Sequence, residues 1–171
     1  MDTFDKVLGR VSIALAWVAC AIIPCLFTLI TIDVSIRSFG FNPPLFTSSV
    51  VEYALLYVAM FSAPFLTREK GHVAIEAFLS ITPHGIRIVL ARVVYFLCAA
   101  SALLFSYFAY ELMYFAYVDG ILDIRGVDMP QWTQYLPICI GFFLVGLEFL
   151  MFLFGRRHYY SYNLGEVKDG V

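Results

Sequence analysis

The chain has 171 residues, of which 61% are apolar and only 14% are charged, with a mean hydropathy of +0.83. A soluble domain carries about 25% charged residues, so this chain has too little charge and too much apolar surface for a water-soluble enzyme. Its formal net charge of -2 also argues against a nucleic-acid-binding protein, because such proteins present a basic face. The composition therefore predicts an integral membrane protein.

Four apolar runs are each long enough to cross a bilayer as a helix, which takes about 20 residues. They cover residues 11–32, 45–67, 93–118 and 132–154. The first run is expected to be a retained span and not a cleaved signal peptide, because it is too long and no small-x-small cleavage site follows it. The runs predict an all-α membrane protein with four transmembrane helices, forming a single integral membrane domain over residues 1–171.

The basic residues indicate how these spans are oriented. Nine of the 11 Lys and Arg residues lie in the N-terminal segment, in the connection between spans two and three, or in the C-terminal tail. The two exceptions, Arg37 and Arg125, lie in the other two connections. Because basic residues favour the cytoplasmic side, both termini are predicted to be cytoplasmic.

The connection between spans two and three is predicted to contain an amphipathic segment over residues 72–91. In it His72, Glu76 and Ser80 recur every four positions, and apolar residues fill the complementary stripe. We expect two short helical pieces near the inner headgroups. The alternative is an ordinary linker that folds back on the bundle.

Ionisable residues inside the spans are the sharpest local signals, because each costs several kcal/mol in a bilayer unless it is paired or hydrated. Asp33 and Arg37 are i, i+4 neighbours near the end of span one, and Glu52 enters span two at a similar depth. We therefore expect an Asp33–Arg37–Glu52 cluster at the outer interface.

Two further carboxylates lie in spans three and four. Glu111 is expected toward the outer side, and Glu148 is expected near the inner side, where a Glu148–Arg92 pair would join the two spans. The carboxylates either bind a coupling ion or proton, or pair with basic residues within the bundle or across a subunit interface. Their different depths favour the second role. The candidate ion-pair or interface residues are Asp33, Arg37, Glu52, Arg68, His72, Glu76, Arg92, Glu111 and Glu148.

No cofactor, metal or catalytic site is expected on this chain. The four cysteines include no C-x-x-C pair, so neither a zinc site nor a dithiol is indicated. The three histidines all lie outside the apolar runs, where they cannot serve as axial ligands of a haem within the membrane.

Several motifs in chain order resemble the small membrane subunit of the tripartite ATP-independent periplasmic (TRAP) transporters, the DctQ-like family. The resemblance includes Arg37 after span one, the stretch Tyr-Val-Ala-Met at 57–60, and the block Arg-Glu-Lys-Gly-His-Val-Ala-Ile-Glu at 68–76. The entry to span four then matches at Pro130, Trp132, Pro137 and Gly141.

Two features depart from that family's usual pattern. Phe46 and the pair Ser48-Ser49 stand where a tryptophan and paired acidic residues commonly open span two, and Glu52 comes a turn later. Glu76 stands where an aspartate is more usual.

The resemblance implies a scaffold subunit, not an enzyme, in a sodium-coupled symporter of the bacterial inner membrane that imports organic acid anions. The implied partners are a large multi-span membrane subunit that carries substrate and sodium, a periplasmic substrate-binding protein that this chain helps to dock, and membrane lipids. Nucleic acid is not among them. The main alternative is a self-sufficient four-span exporter of the small multidrug type that acts as a homodimer. Such exporters are shorter and centre on an early membrane carboxylate, which span one lacks. A membrane anchor for a redox enzyme is disfavoured by the positions of the histidines.

Overall fold

A computed structural model describes residues 2–42, 46–69, 84–124 and 128–154. Four helices and one short hairpin make up this part of the chain: α1 (Asp2–Ser38), α2 (Phe46–Arg68), α3 (His84–Val118), β1 (Leu122–Ile124), β2 (Asp128–Pro130) and α4 (Trp132–Leu153). All four helices are long and apolar enough to cross a membrane, which confirms the predicted fold class.

Two of the helices, α1 and α3, extend beyond the predicted spans. α1 runs over 37 residues, so it exceeds the predicted span 11–32 at both ends. α3 begins at His84 and not near residue 93, so part of the predicted amphipathic segment is the first two turns of α3. The rest of that segment, including His72 and Glu76, lies outside the described residues.

The helices do not pack in chain order. α1 packs on α2, α2 packs on α4, and α4 packs on α3, so that α2 and α4 form the centre of the described bundle. A cluster of Ala91, Tyr95 and Ala99 from α3 with Phe149 and Phe152 from α4 forms its apolar core. The alanines allow the two helices to approach closely, as small residues do between membrane helices.

Many large apolar side chains of α1 and α3 point outward. Trp17 and Phe27 of α1 are each 72% exposed, and Leu97 and Phe105 of α3 are 59% and 55% exposed. In water such surfaces would cause aggregation, whereas in a bilayer they face lipid or the helices of another chain. The exposure pattern therefore agrees with membrane-spanning helices.

The connection between α3 and α4 contains a hairpin that the sequence analysis did not predict. β1 and β2 are antiparallel, with Asp123 opposite Met129. The backbone N–H of Gln131 donates to the carbonyl of Ile121 at 3.0 Å and closes the hairpin at the start of α4. The hairpin lies at the end of the bundle where α2 and α4 begin, called here the hairpin end.

Candidate functional site: buried polar clusters at the two ends of the bundle

A buried ion pair joins α2 to α4 at the end opposite the hairpin. Arg68 is the last residue of α2, and its Nη1 donates to Oε1 of Glu148 at 3.0 Å. The Glu148 side chain is fully buried and the Arg68 side chain is 15% exposed. The attraction is strong where water is scarce, but it must offset the cost of removing both charges from water.

α1 completes this group of residues. The Ser12 hydroxyl lies 3.0 Å from the Leu8 carbonyl oxygen and 3.4 Å from Oε1 of Glu148, and it is positioned to donate to either. Nη2 of Arg68 donates to the Asp5 carbonyl at 3.3 Å and lies 3.5 Å from Oδ1 of Asp5. We call Asp5, Ser12, Arg68 and Glu148 the Arg68 cluster; it connects three of the four helices.

Gly9 provides the space that the Arg68 guanidinium occupies. A Cβ at position 9 would lie 2.5 Å from Cζ of Arg68, which is closer than real contacts allow. The absence of a side chain therefore lets the guanidinium lie against the α1 backbone and reach the Asp5 carbonyl. This role of Gly9 was not predicted, because nothing in the sequence near Gly9 indicates that Arg68 is its neighbour.

The predicted Glu148–Arg92 pair is wrong. On α3 the residues that pack against α4 are Ala91, Tyr95 and Ala99, and Arg92 follows the first of them. Arg92 is exposed, and within the described residues the ion-pair partner of Glu148 is Arg68. Glu148 faces α1 and α2 instead.

At the hairpin end, Arg37 and Asp33 form the predicted i, i+4 ion pair, with Nε donating to Oδ2 at 2.8 Å. The Arg37 side chain is 56% exposed and that of Asp33 only 11%. Glu52 is exposed on α2, and within the described residues no ion pair joins it to Arg37. The predicted three-residue cluster is therefore reduced to a local pair on α1.

This geometry predicts a small effect of Arg37 on stability. Arg37→Ala is expected to lower the free energy of unfolding by about 1 kcal/mol or less, because the Arg37 side chain is 56% exposed and water screens its attraction to Asp33. Double-mutant cycles followed by thermal unfolding in detergent should show coupling of Arg37→Ala to Asp33→Asn and none to Glu52→Gln. Coupling to Glu52 alone would contradict the observed pairing.

A second polar cluster anchors the hairpin to the bundle. The Tyr53 hydroxyl donates to Oδ2 of Asp123 at 3.1 Å, and Nε2 of Gln134 donates to the same oxygen at 2.6 Å. Nearby, the Tyr57 hydroxyl donates to the Thr133 carbonyl at 2.9 Å. α2, β1 and α4 are thus joined. Sequence reasoning missed this cluster because Tyr53 and Gln134 resemble ordinary interfacial residues.

Glu111 belongs to neither cluster. It is exposed on α3, and in the part of the chain that the structure describes it forms no hydrogen bond or ion pair.

Near Glu111, an apolar groove of about 570 Å³ runs between α1 and α3, with α4 as its floor. The groove is lined by Val11, Leu15, Leu103, Tyr107, Tyr110 and Ile140, among others.

The described charged residues do not converge on one binding site. Counting about 1.5 Å per residue, Glu148 lies about 8 Å from one end of α4, whereas Asp33 lies about 8 Å from the hairpin end of α1. Among the described residues, no three His, Cys, Asp or Glu side chains are close enough to hold a metal ion. The arrangement can fix helices against one another and offer surfaces to other chains.

Comparison with known proteins identifies the family. A search of curated proteins gives no match. The family described as "Tripartite ATP-independent periplasmic transporters, DctQ component" matches residues 26–157, which include about the last third of α1, all of α2, α3 and α4, and the Arg68–Glu148 pair. With most of its length matched, the chain belongs to the DctQ family and is a TRAP transporter small subunit.

Proposed function

We propose that this chain is the static scaffold of a sodium-coupled, binding-protein-dependent TRAP transporter that imports organic acid anions across the bacterial inner membrane. The single observation that carries this proposal is the family match over residues 26–157. On this proposal substrate and sodium bind the large membrane subunit, and the present chain braces it.

The geometry of the polar clusters supports a bracing role. The Arg68 cluster ties three helices together at one end, and the Asp123 contacts tie α2, β1 and α4 together at the other. A bundle fixed at both ends is suited to remain still while a partner moves. Transport sites instead combine interrupted helices with converging polar groups near the middle of the membrane.

The orientation belongs to the same proposal. With the Arg68 cluster on the cytoplasmic side, the hairpin end faces the periplasm, in agreement with the distribution of basic residues. Ile124 is 80% exposed there, as is Phe39. These apolar side chains are candidates for helping to dock the periplasmic binding protein.

Reconstitution into proteoliposomes tests the function. The substrate is first found by screening mono- and dicarboxylates, keto acids and sugar acids for binding to the purified binding protein. With an inward sodium gradient, uptake of that anion is expected from the full complex and none from this chain alone. The large subunit with the binding protein but without this chain should lose most of the uptake. Sodium-driven uptake by the isolated chain would contradict the scaffold role and favour a self-sufficient transporter.

A further inference from the structure

The side chain of Glu111 points away from the bundle. The buried residues on this half of α3 are Ala102, Ser106, Ala109 and Ala116, and the Ser106 hydroxyl donates to the Cys139 carbonyl of α4 at 3.0 Å. At about 100° per residue, Glu111 lies about 180° from the middle of that stripe. It therefore faces whatever surrounds this chain in the membrane.

Glu111 also lies below the level of the headgroups. Tyr117 and Trp132 form an edge-to-face ring contact with centroids 6.1 Å apart, and such residues mark the membrane–water interface. Tyr117 lies six positions after Glu111, which places Glu111 about 9 Å deeper along α3. A carboxylate side chain is too short to reach water across that distance.

An ionised carboxylate at this depth needs a partner, because charged groups within the hydrocarbon are costly unless they are paired or hydrated. No such partner comes from the described part of this chain. At the hairpin end the described helices offer Arg37, which already pairs with Asp33. Among the described residues at the hairpin end, no basic residue is therefore left to pair with Glu111, and a helix of a neighbouring molecule can supply one.

The surroundings of Glu111 suit a helix of another membrane protein. Tyr107 and Tyr114 lie on the same face, at positions i−4 and i+3, and are 64% and 61% exposed. Large aromatic side chains with one polar atom are enriched at protein interfaces. Tyr107 also lines the apolar groove between α1 and α3. The groove and the Glu111 carboxylate are therefore neighbours on the surface of the bundle.

We propose that Glu111, with Tyr107, Tyr114 and the neighbouring groove, is the docking surface for a transmembrane helix of the large membrane subunit that carries Lys or Arg at this depth. This inference rests on the proposed function. A second copy of the chain fits less well, because a symmetric contact would bring two Glu111 carboxylates together.

Photo-crosslinking tests where the partner lies. A photoreactive amino acid replaces Tyr114 in the chain co-expressed with its large subunit, and the matched control replaces Phe27, which is 72% exposed on α1. Tyr114 is expected to crosslink to the large subunit in intact membranes, and Phe27 is not. Crosslinks from Tyr114 only to lipid or to a second copy of this chain would overturn the proposal.

Charge substitution tests the ion pair. After mild detergent extraction, Glu111→Gln is expected to retain about tenfold less large subunit than the wild type, since truncating one partner of a buried interfacial pair weakens binding by at least this factor. Glu111→Lys should retain less still. The isolated Glu111→Gln chain should keep the wild-type melting temperature, because no hydrogen bond or ion pair joins Glu111 to the described residues. A lowered melting temperature would show an internal role and overturn the proposal.

The two proposals fail in different ways. If the wild-type chain retains no large subunit and the complex shows no uptake, the proposed function is wrong. If the wild-type complex is intact and Glu111→Gln leaves it intact, only the docking surface is wrong.

Discussion

Replacing Arg68 by alanine is expected to lower the free energy of unfolding by about 3–5 kcal/mol, the usual cost of removing one partner of a buried ion pair. Glu148 is fully buried, and its Oε1 receives the Arg68 guanidinium at 3.0 Å. Without that guanidinium, the carboxylate must keep its charge in a dry environment or bind a proton. Denaturant unfolding of the isolated chain in detergent, followed by far-UV circular dichroism, measures the change.

A second substitution separates charge from packing. Arg68→Ala combined with Glu148→Gln should recover part of the lost stability, because a neutral amide needs no counter-charge and can still accept from Ser12. The matched control is Arg92→Ala, since Arg92 is exposed and forms no ion pair within the described residues. It should change stability by about 0.5 kcal/mol or less, as is typical of surface positions. Equal losses for Arg68→Ala and Arg92→Ala would show that the Arg68 cluster contributes nothing specific.

Composition and hydropathy were sufficient to predict the four helices, because a bilayer imposes a minimum length and an apolar surface on each span. The ends of the helices were less well predicted. α1 continues to Asp2 and Ser38 through polar turns that hydropathy excludes, since a helix can extend past the hydrocarbon into headgroups and water.

Partners of the charged residues could be predicted only within one helix. The Asp33–Arg37 pair follows from i, i+4 spacing, which fixes distance without knowledge of the tertiary structure. Similar depth in the membrane predicts Arg92 as the partner of Glu148. Depth alone does not say which helix is the neighbour, and it is the packing of α2 on α4 that brings Arg68 to Glu148.

The contacts of Asp123 and Gly9 were missed for a related reason. Asp123 lies on a strand of three residues, too short for alternation to be distinguished from an irregular loop. The motif block at 68–76 did mark Arg68 as important, but only the structure shows that its guanidinium lies against Gly9 of α1.

Gly141→Ala is expected to separate α2 from α4 and to lower the free energy of unfolding by about 1–3 kcal/mol, as overpacking of a close contact does. A Cβ at position 141 would lie 2.7 Å from the carbonyl oxygen of Met60 on α2. That oxygen belongs to the backbone, so the helix itself must shift to relieve the clash. Gly141→Val should cost more, because its two methyl groups add volume at the same point.

Gly146 on the same helix is the matched control for this prediction. A Cβ there would lie 2.9 Å from Cδ2 of Leu103, a flexible side-chain end on α3 that can change rotamer without moving the helix. Gly146→Ala should therefore destabilise the chain less than Gly141→Ala in the same unfolding assay. Arg68 and Glu148 lie on the same two helices. Arg68→Ala should therefore lower the free energy of unfolding by less in the Gly141→Ala background than in the wild type. Independent, additive losses would show that helix spacing and the ion pair are not coupled.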